Sequence, residues 1–229
     1  MKKYSSNVGK KFYENGSARE FPGNTIICHV PRESPTYRFL LQVREELQQQ
    51  PWAKKYAFLP PSSYHMTVFE GVCDQVRKPH VWPKSLSLNA PLEEVDQFFI
   101  KQWDKIEKPT GFEVKYGHMG IGGTIGIRVQ PAFPEINQKI RNFRNILADA
   151  MEIRTAAHDW YGFHISFAYL IEKLTLLDQL KVVKYILQVR KRHQRDFGIL
   201  QFNAPELCFF ADMTNFAHSR RDAKRNSQD

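Results

Sequence analysis

The stretch "PPSSYHMTVFEGVC" (residues 60–73) places a histidine inside a run that otherwise alternates like a half-buried β-strand. Ninety-nine residues after that histidine, "YGFHISFAYL" (161–170) repeats the pattern of aromatic, His, apolar, hydroxyl, apolar: Tyr64-His65-Met66-Thr67-Val68 is matched by Phe163-His164-Ile165-Ser166-Phe167. Side chains at i and i+2 of a strand share a face, so His65 points with Thr67 and His164 with Ser166, while their apolar neighbours pack on the other side. The polar face of the second strand reads Gly162-His164-Ser166-Ala168, small on both sides of the functional pair, which leaves room for a ligand. The chain has eight histidines, and the other six do not show H-x-[ST]. One such triplet is expected by chance, but two in strand contexts, each with an aromatic directly before the histidine, are not.

Composition bounds the setting. A chain of 229 residues with 42% apolar content can bury one substantial core or two small lobes that share an interface. Cys28, Cys73 and Cys208 are far apart and odd in number, with no C-x-x-C pair, which points to a reducing compartment, by default the cytoplasm. No window nears the length of a membrane span, and the basic start has no apolar run behind it. The net charge of +9 is concentrated in "KVVKYILQVRKRHQR" (181–195) and "HSRRDAKRNSQD" (218–229). Such a field attracts phosphate-bearing partners without identifying them, and it equally describes a solvated helix face and a frayed tail.

The order of elements predicts an α+β fold with two helix-covered sheets, one for each histidine strand. "NTIICHV" (24–30) reads as a strand, and Ser34-Pro35 as the cap and first turn of a helix whose inner face carries Tyr37, Leu40, Leu41, Arg44 and Leu47. A strand is expected at 55–60 and the first histidine strand at 64–70. A loop rich in Pro, Lys and Trp fills 71–90, and a helix follows over about 92–106 with Leu92, Val95, Phe99 and Trp103 inward. A hairpin around "GHMGIGG" joins strands at 111–117 and 123–130. A long amphipathic helix then carries Ile136, Ile140, Phe143, Leu147 and Met151. Thr175 and Asp178 form a capping box for a helix bearing Leu177, Leu180, Val183 and Leu187, and a closing strand lies within 199–213.

Paired H-x-[ST] strands about one hundred residues apart resemble the 2H phosphoesterase superfamily, which includes bacterial 2′-5′ RNA ligase-like proteins and cyclic nucleotide phosphodiesterases. The likeness rests on "FPGNTIICHV", "SSYHMTVFEGV" and "HDWYGFHISFAYL" and covers roughly residues 20–212. It implies a two-lobed fold, two antiparallel sheets with outer helices facing across a central cleft into which both histidines project. In that frame residues 1–20 are an N-terminal extension, 21–213 a single bilobal domain, and 214–229 a basic tail. For members acting on 2′,3′-cyclic phosphates, the resemblance implies hydrolysis to a 2′-phosphate.

The chemistry expected of such a site is metal-independent hydrolysis of a cyclic or 2′-5′ ribose phosphodiester, with a nucleotide or RNA end as substrate and no cofactor. One imidazole activates the attacking water or hydroxyl and the other protonates the departing oxygen, a division that two groups with a reference pKa near 6.5 can manage close to neutral pH. The hydroxyls of Thr67 and Ser166 are the expected donors to the phosphoryl oxygens. Phe69, which follows Thr67 on the alternating face, is a candidate to stack a base, with core packing as the competing role. Arg128, which shares a strand face with Thr124 and Gly126, is a candidate phosphate partner or an ordinary surface arginine. The glycines of 116–126 fit hairpin turns better than a phosphate loop, since neither G-x-x-x-x-G-K-[ST] nor G-x-G-x-x-G occurs. His158-Asp159 is a weak metal signal, because that chemistry needs further His and Asp ligands on helices. A nucleic-acid-binding module using the same cleft without turnover is the alternative from another class. The basic helix (Lys181, Lys184, Arg190, Lys191, Arg192, Arg195) would serve it, but nothing in it requires two histidines.

Overall fold

β1 (Gly23–His29) is buried along almost its whole length, as a β-branched run without alternation predicts for a central strand. Around it the computed structural model describes residues 3–120, 122–193 and 196–225, with the side chains of 190–193 and 225 outside that description. After β1 come α1 (Pro35–Gln48), β2 (Tyr56–Phe58), β3 (His65–Phe69), α2 (Leu92–Lys105), β4 (Phe112–Gly120), β5 (Thr124–Pro131) and α3 (Pro134–Ala150). β6 (His164–Leu170), α4 (Leu176–His193), β7 (Ile199–Phe202), β8 (Glu206–Phe210) and α5 (Arg220–Arg225) complete the order. The α+β architecture is as expected.

The strands form two antiparallel halves, β7-β4-β5-β6 and β3-β1-β8, with β2 added on β6. The halves are joined where β3 meets β6, through the single pair Met66–Ile165. β6 divides that edge between two neighbours, giving Ile165 to β3 and Ala168–Leu170 to β2. The two histidine strands therefore touch, and the two expected sheets are continuous through them.

Local chemistry fixes the helix ends where the sequence marks them. Tyr37 N donates to the Ser34 hydroxyl at 3.0 Å ahead of the first-turn Pro35. Thr175 and Asp178 cap α4 reciprocally: Asp178 N donates to Thr175 Oγ1 at 3.1 Å, and Thr175 N to the Asp178 carboxylate at 3.0 Å.

Three expectations about packing need correction. The buried face of α1 is Thr36, Phe39, Leu40, Val43 and Leu47, and Leu41 is exposed. On α4, Leu177, Leu180, Val183 and Leu187 face outward, and Val182, Tyr185 and Val189 are buried instead. The rotation of α4 is set by its contacts to the segment after α1: Lys55 Nζ pairs with Asp178 at 2.8 Å, and the Tyr185 ring packs edge-on against Trp52 at 5.9 Å. The closing strand is two strands, β7 and β8, on opposite edges of the sheet. Pro205, which has no N–H to donate, lies in the break between them.

The segments flanking the expected domain are tied to it. Phe12 is buried in the core, Ser5 N donates to Ile171 O at 2.8 Å, and Asn7 Nδ2 reaches the carbonyls of Gly123 and Leu170. At the other end, Arg220 grips the buried Asp96 of α2 with Nε at 2.9 Å and Nη2 at 2.6 Å. Within 71–90, Trp82 is buried and its indole donates to Ser87 O at 3.0 Å. Among the described residues no helix is long and apolar enough to cross a membrane.

Arg144 of α3 is fully buried, which is exceptional for a guanidinium. Val68 opposes no residue of β1, because the register slips from Ile27–Thr67 to Ile26–Phe69 across it. Its carbonyl accepts instead from Arg144 Nη1, while Nη2 donates to His158 O at 3.3 Å and the guanidinium lies 4.3 Å over the Tyr161 ring. Arg144→Met leaves both carbonyls without a donor, so it should destabilise the fold by about 2–4 kcal/mol. The check is urea unfolding of the variant against the parent protein.

Candidate functional site

The antiparallel pair Met66–Ile165 puts the two histidine motifs in a fixed relation. Continued one residue each way, this register sets His65 beside Ser166 and Thr67 beside His164, so the two H-x-[ST] triplets are related by a local two-fold axis. The diagonal between the histidines is then roughly 8 Å at Cα, from the rise along a strand and the spacing between strands. His65, Thr67, His164 and Ser166 all line one cavity of about 330 Å³. The four residues picked out by the repeated motif thus converge.

Each ring is anchored in the same way. His65 Nδ1 lies 2.7 Å from Ser63 O, and His164 Nδ1 lies 3.1 Å from Gly162 O, in both cases the carbonyl two residues earlier. A carbonyl only accepts, so Nδ1 carries the proton and donates, and each Nε2 keeps its lone pair. The Ser63 carbonyl is presented by the short helical turn Pro61–Ser63, where the Ser63 hydroxyl donates back to Pro60 O at 2.8 Å.

Both imidazoles are pushed toward the neutral form. Burial pushes His65 down to about 4, with His29 and His164 acting in the same direction and the Ser63 carbonyl opposing. Burial also lowers His164, helped by the positive charges of Arg128 and Lys11 and opposed by the Gly162 carbonyl and Glu70.

Space beside Ser166 depends on Gly126, its partner on β5. A Cβ at Gly126 would sit 2.5 Å from Ile165 O, closer than van der Waals contact allows, so any side chain there would push β5 away from β6. Arg128 is the cross-strand partner of His164, and its Nη1 donates at 2.8 Å to the same Gly162 carbonyl that anchors the ring. It lines a neighbouring depression that it shares with His164 rather than the main cavity. Phe69 is 2% exposed, lies in the hydrophobic core and does not line the cavity. Strict alternation predicted it on the histidine face, and the register slip at Val68 turns it away.

His158 is buried, its Nε2 lies 3.0 Å from Asn145 Oδ1, and its carbonyl serves Arg144. Asp159 is exposed beside Arg154. Neither belongs to a group of potential metal ligands among the described residues. Of the basic helix, Lys181 and Lys184 are exposed, whereas the side chains of Arg190, Lys191 and Arg192, and Arg195 altogether, lie outside the described residues.

The cavity wall also holds residues that no motif marked. Tyr161 stands beside His164 with ring centroids 6.4 Å apart. Lys11 reaches the wall from the N-terminal segment, its ammonium 4.8 Å over the Tyr169 ring. Phe216, from the segment after β8, packs on His65 with ring centroids 4.3 Å apart. Tyr161 could have been found as an aromatic three residues before the second histidine. Lys11 and Phe216 had no local signal.

The anchoring fixes a spectroscopic outcome. Long-range 1H–15N correlation spectra above pH 7 should show both His65 and His164 as Nδ1–H tautomers, and on acidification His65 should stay neutral well below pH 6.5. Nε2–H signals for either ring would contradict the geometry.

Residues 11–124, which include His65 and Thr67 and end at the first residue of β5, match the family model described as "2H-phosphodiest: Domain of unknown function (DUF1868)". The resemblance read from the paired triplets is thus met by an independent match to the first of them. Among solved structures, a conserved protein of unknown function, ATU0111 from Agrobacterium tumefaciens, superposes with a TM-score of 0.87 at 26% identity, covering 95% of this chain and 92% of that one. TT0787 of Thermus thermophilus gives a TM-score of 0.42 at 11% identity over 82% of this chain and 86% of its own. LigT of E. coli, in its apo form, gives 0.39 at 13% identity over 69% of this chain and 77% of its own. No curated protein matches the sequence.

Proposed function

We propose that this chain, which carries the 2H-phosphodiesterase match over residues 11–124, hydrolyses a ribose phosphodiester, cyclic or 2′-5′-linked, by acid–base catalysis between His65 and His164. The observation that supports the reading most strongly is the twin anchoring of the rings, which leaves two Nε2 atoms free in one cavity. A fold that needed histidine only for packing has no use for two rings held in the same tautomer with the same atom turned to the same space.

In the proposed reaction a water oxygen attacks phosphorus in line with the departing ribose oxygen. One Nε2 takes the proton from the water as the new P–O bond forms. The other ring, protonated at Nε2, donates that proton to the ribose oxygen as the old bond breaks. His65, which burial holds strongly neutral, is the base, and His164 is the acid. Thr67 and Ser166 donate hydrogen bonds to the non-bridging oxygens, with the Lys11 ammonium adding positive charge at the wall. A cavity of about 330 Å³ is at the lower end for ligand sites, which favours a mononucleotide or a chain end over a strand running through.

Screening 2′,3′-cyclic mononucleotides, cyclic-phosphate RNA ends and 2′-5′-linked oligonucleotides should find turnover. His65→Ala and His164→Ala should each lower it by roughly a hundred- to ten-thousandfold, and the double variant should lose little more, because the rings act as a unit. On a p-nitrophenyl phosphodiester, whose leaving group needs no proton, His164→Ala should regain most of its activity and His65→Ala should not. Ligand binding without turnover by the wild-type protein would favour a binding module instead.

The pH dependence has a definite sign. Catalysis requires one neutral and one protonated ring, and both rings lose their protons below the ordinary histidine range. The profile of kcat/KM should be a bell whose optimum lies on the acid side of pH 6.5. A profile still rising at pH 8 would rule out the paired assignment.

A further inference from the structure

Beyond β3, on the same face of the sheet as the histidine pair, three metal-ligating side chains converge that the reaction above does not use. His29 is the cross-strand partner of His65 at the end of β1. Glu206 and Cys208 are neighbours at i and i+2 on β8, where they pair with Ile27 and Thr25 of β1. The His29 Nε2, the Cys208 Sγ and a Glu206 carboxylate oxygen lie within 4.8 Å of one another, and Sγ to Nε2 is 3.8 Å. The C-terminal segment adds a supporting partner: His218 Nε2 meets Glu206 Oε2 directly. The segment is held in place by the reciprocal Phe209–Ala217 backbone pair, at 2.7 and 2.9 Å.

We infer that His29, Glu206 and Cys208 form a divalent transition-metal site, of the zinc type, between β1 and β8, with His218 of the C-terminal segment positioning the Glu206 carboxylate. A tetrahedral zinc with Zn–S of about 2.3 Å and Zn–N of about 2.0 Å spaces sulfur and nitrogen by about 3.5 Å, close to the separation here. An imidazole, a thiolate and a carboxylate are a borderline set that suits zinc and not magnesium or calcium, which take oxygen ligands. Charge also balances, since the thiolate and the carboxylate neutralise a dication while the His29 imidazole binds neutral. On binding, the Cys208 thiol releases its proton to solvent and the Sγ–metal bond forms, with no redox change. Without a metal, the buried thiol faces an imidazole with which it makes only a weak contact. The His218–Glu206 contact then amounts to an exposed ion pair, which explains the carboxylate and not the thiol.

The site does not rest on the proposed hydrolysis, and its test does not read activity. The 229-residue chain, stripped with a chelator and titrated with Co2+, should bind one equivalent and develop a thiolate-to-cobalt charge-transfer absorption, which one equivalent of Zn2+ abolishes. Cys208→Ser should lose that band, and His29→Gln should weaken metal binding at least tenfold. His218→Gln should weaken it by about ten- to a hundredfold, the range seen when a ligand's supporting partner is lost. Circular dichroism checks the fold of each variant. If Cys208→Ser fails to fold, the half-buried His29→Gln carries the test. Zn2+ should raise the melting temperature of the wild-type protein and leave that of His29→Gln unchanged. A wild-type protein that binds no stoichiometric cobalt, or a His29→Gln variant that binds it as tightly as the parent, overturns the inference.

Discussion

Everything functional in this fold depends on one short crossing, the antiparallel contact of β3 with β6 at Met66 and Ile165. It joins the two halves of the sheet, and it brings two sequence-distant triplets into reciprocal register. A strand slipped by one residue would turn its histidine and hydroxyl to the opposite face, into the core. Such slippage is resisted on both sides of the crossing. Met66 and Ile165 are both buried completely, and β2 takes the remainder of the β6 edge. Just past the crossing, the carbonyl of Val68 would be left without a partner, and the buried Arg144 guanidinium supplies one. The same guanidinium holds the Tyr161 ring and the His158 carbonyl, so one side chain ties β3 to the segment that leads into β6.

How far the sequence foretells this structure depends on the range of the determining interaction. Period-2 alternation is a property of neighbouring residues, and it correctly put His65 with Thr67 and His164 with Ser166 on one face. The capping box at Thr175 and Asp178 and the cap at Ser34 are equally local and equally legible. Phe69 shows where that logic ends: alternation holds only while both strands advance together, and the unopposed Val68 just before it in β3 turned the ring into the core. The outward stripe of α4 marks a similar limit. Periodicity locates two apolar faces on that helix, and only the Lys55–Asp178 pair and the Trp52–Tyr185 contact decide which one is buried. Lys11, Phe216 and the His29–Glu206–Cys208–His218 group were out of reach for the same reason, because each is assembled from segments far apart in the chain.

The electrostatics of the cavity differ from those of the chain as a whole. The protein is strongly basic, yet the two rings at its centre are kept uncharged by burial, with neighbouring positive groups pushing the same way. Under the proposed reaction the free site therefore lacks the proton that its acid must donate. A bound phosphodiester brings a negative charge into the same low-dielectric space, and an anion within hydrogen-bonding reach of an imidazole favours its protonated form. The substrate thus raises the proton affinity of the ring nearest its departing oxygen and completes the catalytic pair on arrival. The Nδ1 anchors make this selective. Each ring can gain its second proton only at Nε2, the atom that faces the cavity, so the proton acquired on binding is already at the position from which it must be given away.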